Sequence, residues 1–181
     1  GQILLGRSVC APEMTAAGIF RRTIQCALGG GAMALVLAAS GLRAEVAEQQ
    51  VLAIINQARV AKGCAALVIN PKLVAAARVQ SSAMAQQNFF GHAGKDGRKF
   101  AYRAKTQGYR YRLIGENIAA GQKTAAEVSR DWLQSPSHRH NIMNCSYVET
   151  GIAMTYQADD APLKGYAMPL NYYWVQVFGK E

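Results

Sequence analysis

The chain contains three histidines, and two of them, His138 and His140, stand two residues apart in the segment WLQSPSHRHNIMNC. Ser135 and Pro136 predict that a helix begins here, with Ser135 as its N-cap. Residues two apart on a helix point about 200° from each other, so the two imidazoles cannot serve one site. His138 falls in the first turn, where the positive helix end favours the neutral imidazole that a metal needs. His138 is therefore the candidate ligand or base, and His140 is expected to be exposed.

The third histidine and two glutamates are the residues that could complete such a site. His92 lies in the glycine-flanked segment FGHAG, and Glu116 interrupts the apolar segment IGENIAAG. A carboxylate in an apolar run must be paired or functional, because burying an unpaired charge is costly. Glu127 has a simpler explanation, since it stands three residues after Thr124 and completes a capping-box spacing. Histidine and carboxylate ligands suit a borderline ion such as zinc, although the His-Glu-x-x-His signature of metalloproteases is missing.

The elements that must position these residues are helices early in the chain and strands late. Apolar spacing predicts a helix over residues 45–62, ended by Gly63, and a short helix over Phe100–Gln107. Between them, Asn70 and Pro71 are typical of a helix start. The inner face of that second helix is predicted to carry Leu73, Ala76, Ala77, Gln80 and Met84. The strands TGIAMTYQA and YYWVQVFGK close the chain, and the absence of βαβ alternation predicts an α+β domain.

The first 44 residues have the pattern of an export signal. Arg21 and Arg22 precede a small apolar segment, and Leu42-Arg43-Ala44 offers a cleavage point before Glu45. This divides the chain into upstream residues 1–13, a signal peptide over 14–44 and a mature domain over 45–181. The mature protein is then expected in the periplasm or outside the cell, without a membrane span. An uncleaved anchor is the alternative, because the uncharged stretch is long enough to cross a bilayer.

Export changes what the cysteines predict. Cys10 and Cys26 would leave with the leader, and Cys64 and Cys145 would remain. In an oxidising compartment this pair favours a disulfide, with two buried free thiols as the alternative.

The charge of the predicted mature domain is moderately basic, with 16 Lys and Arg against 10 Asp and Glu. The basic run from Arg98 to Arg112 is interpreted as a solvated face that includes Arg103. No nucleic-acid-binding motif accompanies the run, so nucleic acid is not an expected partner. The excess charge favours anionic envelope surfaces such as lipid head groups or wall polymers.

Three segments in this order carry a family resemblance: FFGHAGKDGR, GENIAAGQKTAAEVSRDWLQSPSHRHNIMNCSYVETGIAM and YYWVQVFG. They resemble the bacterial, SCP-like branch of the CAP family, which comprises cysteine-rich secretory, antigen 5 and pathogenesis-related proteins. The likeness runs from about Val51 to Gly179. Ser137 is one departure, since glycine is usual at that position.

The resemblance implies an α–β–α sandwich with a central antiparallel sheet and a cleft that holds two histidines and two acidic residues. His92, Glu116, Glu127 and His138 match those positions, with Asp131 as a second candidate for the third. In relatives the histidines can hold a divalent metal, often with glutamate-bound water. The resemblance implies a secreted metal-binding recognition module. The alternative is a hydrolase that uses the same four residues with a metal- or histidine-activated water.

Overall fold

The structure, a computed structural model, describes the backbone of residues 31–181 and the side chains from Arg43 onward. The basic start of the predicted leader therefore lies outside the described residues. Helix α1, Gly31–Ala61, runs through the predicted cleavage point, and Ala44 packs against the core. The helix begins earlier than the predicted residue 45, and Gly63 follows its end with a φ of 90°. Cleavage before Glu45 stays a prediction.

Four further helices and four strands make up the rest of the described chain. The helices are α2 (Pro71–Gln86), α3 (Phe100–Thr106), α4 (Ala125–Gln134) and α5 (Pro136–Ile142), and the strands are β1 (Val68–Ile69), β2 (Leu113–Ala120), β3 (Glu149–Tyr156) and β4 (Tyr172–Lys180). The predicted helix starts at Asn70 and Thr124 are confirmed: Asn70 accepts a hydrogen bond from Lys72 N–H, and Thr124 forms a full capping box with Glu127. None of the helices in the described part of the chain combines the length and hydropathy needed to span a bilayer.

The strands form one sheet in the order β1-β3-β4-β2. Strand β4 pairs antiparallel with both β3 and β2, whereas β1 pairs parallel with β3. Strands β3 and β4 are the two that the sequence predicted. Strand β2, which was not predicted, lies at the edge of the sheet, so one side of its backbone faces away from β4.

Each face of the sheet carries its own apolar core, which gives the α–β–α sandwich that the resemblance implied. Trp174 and Phe178 of β4 point into the core under α1, α4 and α5, while Tyr173, Val175 and Val177 point into the core under α2 and α3. The predicted inner face of α2 is confirmed, since its five residues are all buried. Helix α2 contacts the sheet at Gly151, where a β-carbon would overlap the helix backbone.

The end of α1 is tied to the segment after α5 by two independent connections. The disulfide between Cys64 and Cys145, whose Cα atoms lie 4.9 Å apart, confirms the predicted pairing. The fully buried Arg59 donates to four backbone carbonyl groups, and no carboxylate among the described residues pairs with it. These are the carbonyls of Ala65 at 3.1 Å, Ile142 at 2.6 Å, Asn144 at 3.0 Å and Tyr147 at 2.8 Å.

Candidate functional site at the sheet edge

Strand β2 brings the two candidate histidines together by presenting neighbouring side chains to opposite faces of the sheet. Glu116 points to the same face as Ile114 and Ile118, because alternate residues of a strand share a face. Asn117 points to the other face, under α5. One histidine-bearing segment is attached to each of these two side chains, so the candidate site lies across the free edge of the strand.

On the first face, the Glu116 carboxylate is held by His92 and Arg103. The Glu116 side chain has no exposed surface, and its Oε1 lies 2.9 Å from His92 Nδ1. Its Oε2 lies 2.6 Å from Arg103 Nη2, and the Arg103 guanidinium also donates to the His92 carbonyl at 3.1 Å. The buried charge therefore has a buried counter-ion, as its cost requires. Arg103 is 6% exposed, so the prediction that it belongs to a solvated face is wrong.

This arrangement fixes the protonation state of the His92 ring. A carboxylate paired with an arginine only accepts hydrogen bonds, so Nδ1 of His92 must donate. The lone pair of the neutral ring is then on Nε2, on a side chain that is 47% exposed. A carboxylate behind a histidine is the usual support of a metal-binding imidazole.

On the second face, two asparagines hold α5 against β2. Asn117 Nδ2 donates to the His138 carbonyl at 3.1 Å, and Asn141 Nδ2 donates to Asn117 Oδ1 at 2.8 Å and to the Glu116 carbonyl at 3.2 Å. Gly115 permits this close approach, because a β-carbon there would overlap the Tyr147 hydroxyl. The Gly-Glu-Asn sequence is thus explained residue by residue, as a gap, an anchor for His92 and an anchor for α5.

The pKa of His138 is lowered from 6.5, first by burial and then by the charge of His92. The direction is the predicted one, but the cause is burial and the neighbouring histidine rather than the helix end. The effect also shows that the two imidazoles lie close enough for their charges to interact. His140 is exposed, as predicted. Two neutral imidazoles at one edge form a donor pair for a borderline metal ion.

The other predicted acidic residue, Glu127, is not brought into contact with either histidine. Its Oε2 accepts from the backbone N–H groups of Lys123 and Thr124, at 2.8 and 3.0 Å. It lies in the first turn of α4, whereas His138 follows the last turn, about 10 Å further along the helix axis. Asp131 accepts from Gln122 at 3.0 Å and from its neighbour Arg130. The contacts of Glu127 are those of a capping residue.

Two further expectations about individual side chains change with the structure. Both oxygens of Glu116 are engaged, so its contacts fit support of His92 rather than the water-mediated ligand that was expected. Ser135 begins α5 as predicted, but its side chain makes no capping bond and lies 3.4 Å from Ser137 Oγ.

The donor set fits a metal held by two side chains more closely than a complete protein cage. Across the described part of the chain, no three His, Cys, Asp or Glu side chains are arranged to hold an ion together. His92 Nε2 and the His138 ring are the groups suited to it, because one is oriented by Glu116 and the other is kept neutral by burial. A protein zinc site usually has three or four ligands, so water or a bound molecule would supply the rest.

Sequence reasoning missed Arg103 and Asn141, which hold the two histidine-bearing segments. For Arg103 a signal existed: a glutamate predicted to be buried needs a counter-ion, and basic residues lie in the segment before it. For Asn141 no comparable signal exists, since an asparagine late in a short helix is common at exposed positions.

A three-layer sandwich whose edge strand holds one histidine on each side defines the SCP class of secreted domains. The chain belongs to the CAP, or cysteine-rich secretory protein, family, whose model matches residues 52–178. A relative in Bacillus subtilis, the uncharacterized protein YkwD, is 35% identical over 105 residues, which are 58% of this chain and 41% of that protein. The chain thus spans less than half of this relative.

Solved structures share the fold at low identity. An extracellular SCP-domain protein of Bacillus anthracis matches with a TM-score of 0.64 and 21% identity over 76% of this chain and 41% of that one. An outer surface protein of Borrelia burgdorferi matches with a TM-score of 0.62 and 21% identity over 72% of this chain and 89% of that one. At these identities the likeness concerns the fold.

Proposed function

We propose that this protein is an exported recognition module in which His92 and His138 bind a divalent transition metal, with zinc as the expected ion. The observation that carries the proposal is the chain of contacts from Arg103 through Glu116 to His92 Nδ1. It leaves Nε2 as the free nitrogen of a ring that is oriented towards the edge of β2. A structural role alone would not require a half-exposed histidine to be held by a fully buried ion pair.

The chemistry of the pair favours reversible capture of a ligand. Two imidazoles leave most of the coordination positions of a metal to water or to a bound molecule. A metal held there would supply an electrophilic anchor for an anionic group. His92 and His138 would hold the ion, Glu116 and Arg103 would orient His92, and Asn117 and Asn141 would fix the distance between the two segments.

A hydrolase at the same edge is the alternative, and the contacts favour it less. A general base needs a carboxylate with a free oxygen near the reacting water. Both oxygens of Glu116 are engaged, and Glu127 is engaged at the start of α4. Ser135 and Ser137 contact each other rather than a histidine. The recognition module is therefore the preferred function.

We also infer that the protein works outside the cytoplasm. The structural relatives named above are extracellular or outer-surface proteins. The Cys64–Cys145 disulfide supports the same inference, because structural disulfides persist in oxidising compartments. The basic balance supports anionic lipids or wall polymers as the ligand class.

Calorimetric titration with zinc tests the proposal. The wild type should bind one ion, and His92→Ala or His138→Ala should remove most of the binding. His140→Ala is the matched control and should bind as the wild type does, because its exposed ring leaves the helix on another side. Affinity should fall as the pH drops through the histidine range, since both ligands must be neutral. Equal loss in all three variants, or none, would refute the assignment.

A further inference from the structure

A second cleft lies away from the histidines, between α2, α3 and the loop over residues 94–98. Its volume is about 260 Å³. Neither His92 nor His138 is among its lining residues. The lining combines three cationic side chains, apolar surface and amide groups: Lys95, Arg98, Arg103, Val79, Ala83, Tyr102, Gln87 and Gln107.

The loop that forms one wall is internally held. Gly94 N–H donates to the Arg98 carbonyl at 3.0 Å, and Gly97 N–H donates to the Gly94 carbonyl at 2.9 Å. The Asp96 carboxylate accepts from Arg98 N–H at 3.0 Å. From below, the buried Arg103 donates to the Arg98 carbonyl at 3.2 Å. The position of Arg98 is therefore set by the fold before any ligand arrives.

The Arg98 side chain is oriented but weakly paired. Its guanidinium lies 4.3 Å from the centre of the Tyr102 ring, a stacked geometry that restricts it without using its N–H groups. The nearest carboxylate, Asp96, lies 3.9 Å away, and that carboxylate already serves the loop. Since Glu116 offsets the charge of Arg103, Arg98 and Lys95 supply the positive charge that the cleft leaves uncompensated.

We propose that this cleft binds a small organic carboxylate with a flat apolar body. The planar guanidinium of Arg98 presents a pair of N–H donors that matches the two oxygens of a carboxylate. Lys95 adds charge at the same wall. Val79, which is 46% exposed, and Ala83 supply the apolar surface for the body of the ligand. The site is independent of the metal proposed for the histidines.

Benzoate is a suitable probe, with benzamide as its neutral counterpart of nearly the same shape. In metal-free ¹⁵N-labelled protein, benzoate should shift the backbone amide signals of residues 94–107 saturably, with a dissociation constant of about a millimolar or lower. Benzamide should bind at least roughly tenfold more weakly, since it lacks the charge that strengthens the hydrogen bonds to Arg98.

Arg98→Gln should weaken benzoate binding by roughly tenfold or more. This variant should fold, because Arg98 serves the loop through its backbone. Arg112→Gln removes an exposed arginine outside the cleft and should leave the affinity unchanged, as should His92→Ala. Equal binding of benzamide and benzoate, unchanged binding in Arg98→Gln, or no saturable shift at about 10 mM benzoate would overturn the proposal. Loss of zinc binding in the histidine variants has no bearing on this result.

Discussion

Replacing Arg103 by Met should lower the free energy of unfolding by about 3–5 kcal/mol, because it leaves a buried carboxylate without its cation. The Glu116 side chain has no exposed surface, and its Oε2 lies 2.6 Å from the guanidinium. His92 still donates to Oε1 in this variant, which places the expected cost at the lower end of the range. A domain of this size usually has enough stability to remain folded after such a loss.

Glu116→Gln should cost less, about 1–3 kcal/mol, since Arg103 keeps the carbonyls of His92 and Arg98 as acceptors. The double variant Arg103→Met/Glu116→Gln has neither buried charge. It should therefore be more stable than the sum of the two single losses predicts, by about 1–3 kcal/mol.

Urea unfolding at neutral pH measures all three variants, with the fluorescence of the buried Trp132 and Trp174 as the signal. Arg112→Met is the control for loss of an exposed arginine and should change stability by less than about 0.5 kcal/mol. If the two single losses add to within about 0.5 kcal/mol in the double variant, Arg103 is not the counter-ion of Glu116 and the support of His92 must be explained otherwise.

Two other predictions concern parts of the fold away from the sheet edge. Removing the disulfide by Cys64→Ala/Cys145→Ala should lower the unfolding free energy by about 4.5 kcal/mol, from the chain-entropy relation for a separation of 81 residues; a loss below about 1 kcal/mol would contradict that relation here. Burial raises the pKa of Glu48 above 4.5, although the Met154 N–H and Arg78 oppose the shift. A raised folded-state pKa stabilises the fold at low pH and loses that contribution as the pH rises through the folded value. The stability of the wild type relative to Glu48→Gln should therefore fall between about pH 4 and pH 7, and a pH-independent difference in urea unfolding would refute the assignment.

The local signals that predicted the helices were capping residues and apolar spacing. Thr124 with Glu127, and Asn70 with Pro71, fix where α4 and α2 begin through short contacts that neighbouring residues supply. Strand β4 was predictable because its alternating side chains fill two different cores. Such features depend on residues close in sequence, and they hold whatever the rest of the chain does.

Strand β2 escaped prediction because it is buried on both faces and carries a charge in its middle. The segment Leu113–Ala120 shows no alternation of polar and apolar residues, and Glu116 makes it read as a loop with a functional residue. Its strand pairing comes from β4, more than 50 residues later, where Glu116 lies opposite Val177. The resemblance predicted the histidines and Glu116. The contacts that distinguish Glu116 from Glu127 required the structure, since both are glutamates at plausible spacings.

The four carbonyls that Arg59 holds have a consequence for the order in which the protein is assembled. They lie on both sides of residue 145, at Asn144 and Tyr147, and beside residue 64, at Ala65. A folded but still reduced chain therefore already presents the two thiols to each other at a high effective concentration. The oxidant in the outer compartment then needs only to remove electrons from a pair that Arg59 has selected. A newly exported chain can thus reach its native cysteine pairing without trial bonds.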